Sequence, residues 1–145
     1  MTTLAGSEGS ILSHQELVIA SEDDVMLVRR AVRLLAQARG FNAFATAAVT
    51  TAASELARNV WTHARRGMAT IEYVERNGRS GLRMEFRDEG PGIPDIQRVL
   101  AGGYSTANSL GLGLAGSRRL VDDFDIQSAP GEGTVVKVIK WARFS

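Results

Sequence analysis

Three short elements, one on a helix, one at a strand end and one at a helix start, follow one another in this chain and constrain its fold more than any other feature. They are Glu55-Leu-Ala-Arg-Asn59, Asp88-Glu-Gly-Pro-Gly92 and Gly111-Leu-Gly-Leu114. Glu55 and Asn59 stand four apart in an Ala-rich stretch of strong helix formers. Both side chains therefore leave one helical face and can meet the same ligand, Glu55 as a candidate base and Asn59 as a candidate metal ligand. Asp88 closes an alternating strand in which Leu82, Met84 and Phe86 oppose Arg83, Glu85 and Arg87. The glycines behind it, Gly90 and Gly92, let the backbone approach a flat ring, whose exocyclic amino proton a carboxylate can accept. Gly111 and Gly113 open the next helical run, where free backbone N–H groups and the helix dipole favour phosphate.

The rest of the chain supplies elements to carry these groups. Met1 to Gly9 is small and polar and is expected to be loose. Glu16 to Ala20 reads as a short strand. Ser21, followed by Glu22, Asp23 and Asp24, signals a helix start, with Val25, Val28, Val32 and Leu35 on one stripe and Gly40 as its stop. Asn42 can cap a second helix through about Ala64, kept thin by Ala47, Ala48, Ala52, Ala53 and Ala57. Met68 to Glu75 and Leu82 to Arg87 alternate around Asn77-Gly78, a hairpin signal. A short helix over Asp95 to Leu100 precedes Gly102 to Ser109, a polar connection of the kind that acts as a lid. Helix is expected over Leu112 to Asp123. Strands over Phe124 to Ser128 and Thr134 to Trp141 then close around Pro130-Gly-Glu-Gly133. This order implies an α/β (α+β) two-layer sandwich, a mainly antiparallel, mixed sheet with helices on one face.

With 145 residues, 44% of them hydrophobic, the chain can bury one core, so a single domain over 1–145 is expected. Nothing is long enough to add a dimerising helical pair that carries its own phosphoacceptor, which places any acceptor on another protein. Seventeen basic and 16 acidic residues leave a net charge of +1 without a basic block, which gives no support to nucleic-acid binding. The absence of cysteine, of a long apolar run and of a charged-then-apolar leader leads to the expectation of a soluble cytoplasmic protein that does not engage a membrane.

The three elements, with Gly103 to Leu114, Arg118 to Phe124 and the Gly131-Glu-Gly-Thr134 turn, resemble the N, G1 and G2 boxes of the Bergerat-fold (GHKL) ATPases. Within that superfamily of gyrase, histidine kinases and MutL, the chain is most similar to the anti-sigma-factor serine/threonine kinases of the RsbT-like type, the switch kinases of the stressosome. The similarity runs from about Glu22 to the C-terminus. It implies a Bergerat-type ATP-binding fold with ATP and Mg²⁺ as cofactors. Glu55 would orient or deprotonate an acceptor hydroxyl, and Asn59 would hold Mg²⁺ through its amide oxygen, a role suited to an ion that prefers oxygen ligands. Asp88 would accept from the adenine amino group, Gly90 and Gly92 would form the G1 turn beneath the ring, and Thr134 would reach adenine through water. Gly111, Leu112 and Gly113 would serve the phosphates. Ser105 and Thr106 either add hydroxyl contacts to the phosphates or face solvent. The chain departs from the fuller histidine-kinase pattern at Ser109, where that pattern has a glycine. The implied partners are a STAS-domain antagonist as phosphoacceptor, a PP2C-type phosphatase and a multiprotein stressosome complex.

Each residue also has a plainer reading. A mid-helix Glu is usually solvated, an Asp before glycines usually forms a turn, and glycines before a helix are often simple breaks. Arg58 reads as a surface charge or a phosphate contact, His63 as a helix-end group, and Trp61 and Trp141 as core or partner-facing aromatics. Arg118, Arg119, Asp122 and Asp123 read as one solvated helical face. Two other functions fit the same residues: a kinase of the RsbW or SpoIIAB type that binds a sigma factor directly, and a nucleotide-gated binding module with little catalysis, against which the retention of Glu55 argues.

Overall fold

The computed structural model describes residues 9–101 and 109–143, the first four of the second stretch as backbone only. The elements run β1 (Ser10–Ile19), α1 (Glu22–Ala38), α2 (Ala43–Ala64), β2 (Gly67–Arg76), β3 (Arg79–Asp88), α3 (Ile96–Leu100), α4 (Ser109–Leu120), β4 (Asp123–Ser128) and β5 (Thr134–Trp141). The strands form one sheet in the order β1-β2-β3-β5-β4, and every neighbouring pair is antiparallel, so the sheet is antiparallel throughout rather than mixed.

Local chemistry accounts for the element ends. The Ser21 hydroxyl accepts the Asp24 N–H at 3.1 Å while the Asp24 carboxylate accepts the Ala20 N–H at 2.8 Å, a reciprocal cap on α1. Asn42 Oδ1 accepts the Ala45 N–H at 2.8 Å and opens α2. Asn77 at φ 54° and Gly78 at φ 78° make the two-residue turn that the twist of the β2–β3 hairpin requires.

Alternation divides the sheet faces. Ala69, Ile71, Leu82, Met84, Phe86, Val136 and Val138 turn inward and pack with Val25, Val28 and Val32 of α1 and with Val49, Ala53, Leu56, Ala57 and Val60 of α2. Ala53 and Ala57 are fully buried, which lets α2 lie close to the sheet, whereas Ala47 is exposed. The outer face carries charge: His14, Glu72 and Arg83 are direct lateral partners across β1, β2 and β3.

The largest departures from the boundaries read from the sequence are at β1, β3 and α4, β3 starting at Arg79 rather than Leu82 because the hairpin ladder runs up to the turn. β1 starts at Ser10, not Glu16, because its outer half is tied to β2 by backbone ladder bonds that need no apolar side chains; most of it is exposed and carries a register shift between Ile11 and Ser13. α4 starts at Ser109, three residues before the expected Leu112. It ends at Leu120, because the Asp122 N–H turns to the Ile139 carbonyl at 2.9 Å and the Asp122 carboxylate accepts the Trp141 N–H at 2.7 Å. Asp122 and Asp123 therefore leave the helical face on which Arg118 and Arg119 remain.

Candidate nucleotide site

A pocket with about 550 Å³ of empty volume opens between α2, the ends of β3 and β5, the Pro91–Ile93 loop and α4. Its α2 wall is built by Leu56, Asn59, Val60 and His63, an i, i+3, i+4, i+7 stripe on one helical face. Phe86, Ile93, Leu114 and Val136 make an apolar interior, and Asp88, Gly92 and Thr134 complete the lining. An apolar slot with a few convergent polar groups is the usual form of a nucleobase or cofactor site.

Asp88 ends β3 half-buried. Burial pushes its carboxyl above the ordinary aspartate range. N–H groups of Gly90, at 2.9 Å, and of Thr134 oppose that shift by stabilising the anion, as does the nearby His63 ring. The carboxylate is thus held in a fixed orientation at the pocket wall. Gly90 packs against the end of α2: a Cβ there would stand 2.6 Å from the Ala64 Cβ. Gly92 has φ +79°, and a Cβ on it would overlap the Ala129 carbonyl oxygen, so the glycine lets the Pro91–Gly92 turn seat against the Ala129–Gly131 turn, joined by the Gly131 N–H to Pro91 O bond of 2.7 Å.

At the other end of the stripe, Asn59 faces Gly113. A Cβ at Gly113 would lie 3.0 Å from Asn59 Nδ2 and 3.1 Å from Oδ1, so only glycine leaves the amide its present room. The Asn59 Nδ2 atom is buried with no hydrogen-bond partner among the described residues. An orphaned buried amide of this kind suits a polar ligand. Among the described residues no cluster of three His, Asp, Glu or Cys side chains could cage a metal. The orphaned Nδ2 is a donor and suits a phosphate or water oxygen, while Oδ1 of the same amide is the atom that could hold Mg²⁺, an ion that comes with phosphates and water rather than in an all-protein cage.

Because α4 begins at Ser109, the free N–H groups of its first turn include those of Ser109, Leu110 and Gly111, whereas the N–H of Leu112, the fourth helical residue, already lies within the intrahelical bonds, as that of Thr46 does at the start of α2. The Gly113 N–H falls within the helix, and its backbone instead provides the close approach to Asn59. Ser105 and Thr106, and the Gly102 to Asn108 part of the expected lid, lie outside the described residues. Glu55 sits one turn before Asn59 on the same ridge, half-buried, without a hydrogen-bond or ion-pair partner among the described residues. It is adjacent to the pocket rather than part of its lining. Arg58 is drawn away to Glu22 of α1, at 3.6 Å.

His63, read from the sequence as a helix-end group, does lie in the last turn of α2 but also lines the pocket, and Ser128 is not singled out by the sequence. Burial lowers the His63 pKa, the Asp88 charge opposes that shift, and its Nε2 is buried without a hydrogen-bond partner among the described residues. The continuation of the Glu55–Asn59 spacing by another four residues was its available signal. Ser128 ties three segments together: its hydroxyl accepts the Ile93 N–H at 2.9 Å, donates to the Gly133 carbonyl at 2.8 Å and lies 2.8 Å from Thr134 Oγ1. No local pattern marks a serine at a strand end for this role. The bond leaves Thr134 lining the pocket with its hydroxyl anchored from behind.

A model of the histidine kinase-like ATPase domain matches residues 18–140. The serine/threonine-protein kinase RsbT of Bacillus subtilis strain 168 is 45% identical over 125 residues, 86% of this chain and 94% of that protein. Anti-sigma F factors of Caldanaerobacter subterraneus subsp. tengcongensis and Thermoanaerobacter sp. strain X514 are each 29% identical over 99 and 100 residues, 64% of this chain and 68% of each relative.

Proposed function

The chain belongs to the histidine kinase-like ATPase family, and from that premise we propose that it is a serine/threonine-protein kinase in a sigma-factor regulatory pathway, using Mg·ATP to phosphorylate a STAS-domain antagonist. The observation that carries this reading is that an oriented carboxylate, Asp88, and Asn59, whose buried Nδ2 has no hydrogen-bond partner among the described residues, line one apolar pocket. In this reading Asp88 accepts the adenine amino proton, which favours adenine over guanine because guanine presents a carbonyl there. Asn59 Oδ1 holds Mg²⁺, and the N–H groups at the start of α4 take phosphate oxygens. Bound Mg²⁺ supplies charge neutralisation on the transferring phosphoryl group. Glu55, one turn from Asn59, orients or deprotonates the acceptor hydroxyl. Phosphoryl transfer asks a protein chiefly for positioning and electrostatics, and this arrangement offers both.

The 45% identity to RsbT supports a switch kinase that, besides phosphorylating its antagonist, engages a PP2C-type phosphatase and a stressosome-like assembly in the cytoplasm as one catalytic domain. No helix among the described residues is long and apolar enough to cross a membrane. The similarity to anti-sigma F factors favours a second reading, a kinase that binds a sigma factor directly. Pull-down with the bound nucleotide controlled separates the two by recovering either the phosphatase or the sigma factor.

Transfer of radiolabelled γ-phosphate to a purified STAS-domain protein tests the main reading. Glu55→Ala should bind Mg·ATP as the parent chain does, while transfer falls roughly a hundredfold to ten-thousandfold, the range for loss of general-base help. Near-normal transfer by that variant would assign hydroxyl activation to another group.

A further inference from the structure

A second depression lies outside the nucleotide pocket, between α1 and α2, on the side of the helical layer away from the sheet. Arg29 and Arg33 line one bank, Thr46, Thr50 and Thr51 the other, and Phe41 closes one end. This is an open surface depression rather than an enclosed cavity. Both arginines are exposed, and neither has an ion-pair partner among the described residues. No acidic residue among the described residues lines the depression. Thr50 is 4% exposed, and its hydroxyl is buried with no hydrogen-bond partner among the described residues. A cationic groove with an unsatisfied hydroxyl and no internal counter-ion favours an anionic occupant.

The groove points at the chemistry. Ala47, Thr51, Glu55 and Asn59 fall at successive i+4 positions, one ridge of α2, so the wall that faces the arginines continues to the candidate base and then to the nucleotide pocket. The Glu22–Arg58 ion pair sets α1 antiparallel to α2, which places Arg29 near the level of Thr51 and Arg33 near that of Ala47. At 1.5 Å of rise per residue, Glu55 lies about 6 Å beyond Thr51 and about 12 Å beyond Ala47. An extended chain rises about 3.3 Å per residue and turns alternate side chains to one face, so these distances correspond to about two and four residues.

We infer that this groove docks an extended, acidic segment of the protein acceptor, with acidic side chains about two and four residues from the phosphorylated serine or threonine meeting Arg29 and Arg33. The inference rests on the kinase reading above and adds the feature that selects its substrate. An acid immediately beside the acceptor hydroxyl is disfavoured, because it would meet Glu55 and the nucleotide phosphates. Mutating such surface charges weakens encounter and docking and leaves the chemical step intact.

The test uses the full chain and two synthetic peptides, each with a central serine: one carries glutamate at the second and fourth positions on one side, the other lysine at those positions. In an amide NMR titration the glutamate peptide should perturb residues 29–37 and 43–55 and bind at least tenfold more tightly than the lysine peptide. The double variant R29E/R33E should lose that preference while keeping its melting temperature and ATP affinity. With a STAS-domain acceptor it should raise KM at least tenfold and leave kcat unchanged. Equal binding of the two peptides, no groove perturbation at millimolar peptide, or a kcat loss without a KM change would each overturn the inference. Groove shifts that depend on protein concentration without peptide would give this face to a second copy of the chain and overturn it as well. If no STAS-domain protein is phosphorylated, the functional reading fails, and the peptide titration still decides the groove.

Discussion

Asp88 and Gly113 do their work through very short-range geometry. Asp88→Asn keeps the shape of the side chain but can turn a donor toward the adenine amino group, so ATP affinity should fall about tenfold to a hundredfold, the equivalent of about 1.5–3 kcal/mol for a hydrogen bond to a charged group. Calorimetry reads this directly, and unchanged affinity would remove Asp88 from the site. Since burial raises the Asp88 pKa, ATP binding by the parent chain should also weaken on acidification at a higher pH than an ordinary aspartate would impose. Gly113→Ala sets two effects against each other. Alanine favours helix by about 1 kcal/mol over glycine, while the added Cβ presses on the Asn59 amide from 3.0 Å. The variant should melt no lower than the parent yet bind Mg·ATP more weakly, with a smaller loss in the absence of Mg²⁺. Equal losses with and without the ion would show that Gly113 serves something other than Asn59.

Strand β1 is the sheet edge beside β2, and its exposed half, held by the backbone ladder, also carries the lateral row His14–Glu72–Arg83. His14 Nδ1 lies 2.7 Å from a Glu72 oxygen, and Arg83 Nε donates to the other at 3.0 Å. The hydrogen bond to Glu72, then that to Glu16, raises the His14 pKa. Burial would raise the Glu72 pKa, but the hydrogen bonds from Arg83 and His14 outweigh it and bring it below the usual value. A histidine whose pKa is raised on folding contributes stability that is complete below the unfolded value of 6.5 and is lost as pH rises through the folded value. Glu72 contributes in the opposite sense, its share being lost as pH falls through a pKa below 4.5. Hydrogen-exchange protection of β1 should therefore decline as pH rises above 6.5, and His14→Ala should abolish that decline. His63 has the reverse sign: its pKa is lowered by burial, so its contribution is complete above 6.5 and falls as pH drops below it. A His14→Ala chain whose β1 protection still declines with rising pH would refute the role of the row.

At the scale of the molecule, the pocket is where α2, α4, the β3 and β5 ends and the Pro91–Ile93 loop meet, so a ligand there contacts the helical layer and the sheet at once. Saturation with Mg·ATP at about 100 times its dissociation constant should add about 2.7 kcal/mol of stability by mass action and raise the melting temperature by several degrees. Asp88→Asn at the same concentration should show a much smaller shift. A parent chain whose melting temperature ignores Mg·ATP would exclude the pocket as the nucleotide site.

Much of this architecture was legible in the sequence because its signals are local. The Ser21 and Asn42 caps, the Asn77-Gly78 turn and the alternation of Leu82, Met84 and Phe86 each act within a few residues, and each appears in the structure where those residues stand. The i+4 pair Glu55 and Asn59 was likewise visible, since helical spacing alone sets the shared face. What only the tertiary structure decided are relations between segments distant in the chain. The outer half of β1 forms because β2 offers it a ladder, a backbone effect that leaves no side-chain pattern to read. Helix α4 stops at Leu120 because Asp122 finds Trp141, 19 residues on. Arg58 turns to Glu22, Ser128 gathers Ile93, Gly133 and Thr134, and Gly113 makes room for Asn59 only because α4 packs across α2. Hydrogen bonds and steric contacts act over a few ångströms whatever the separation along the chain, so the residue types were readable in advance and their partners were not.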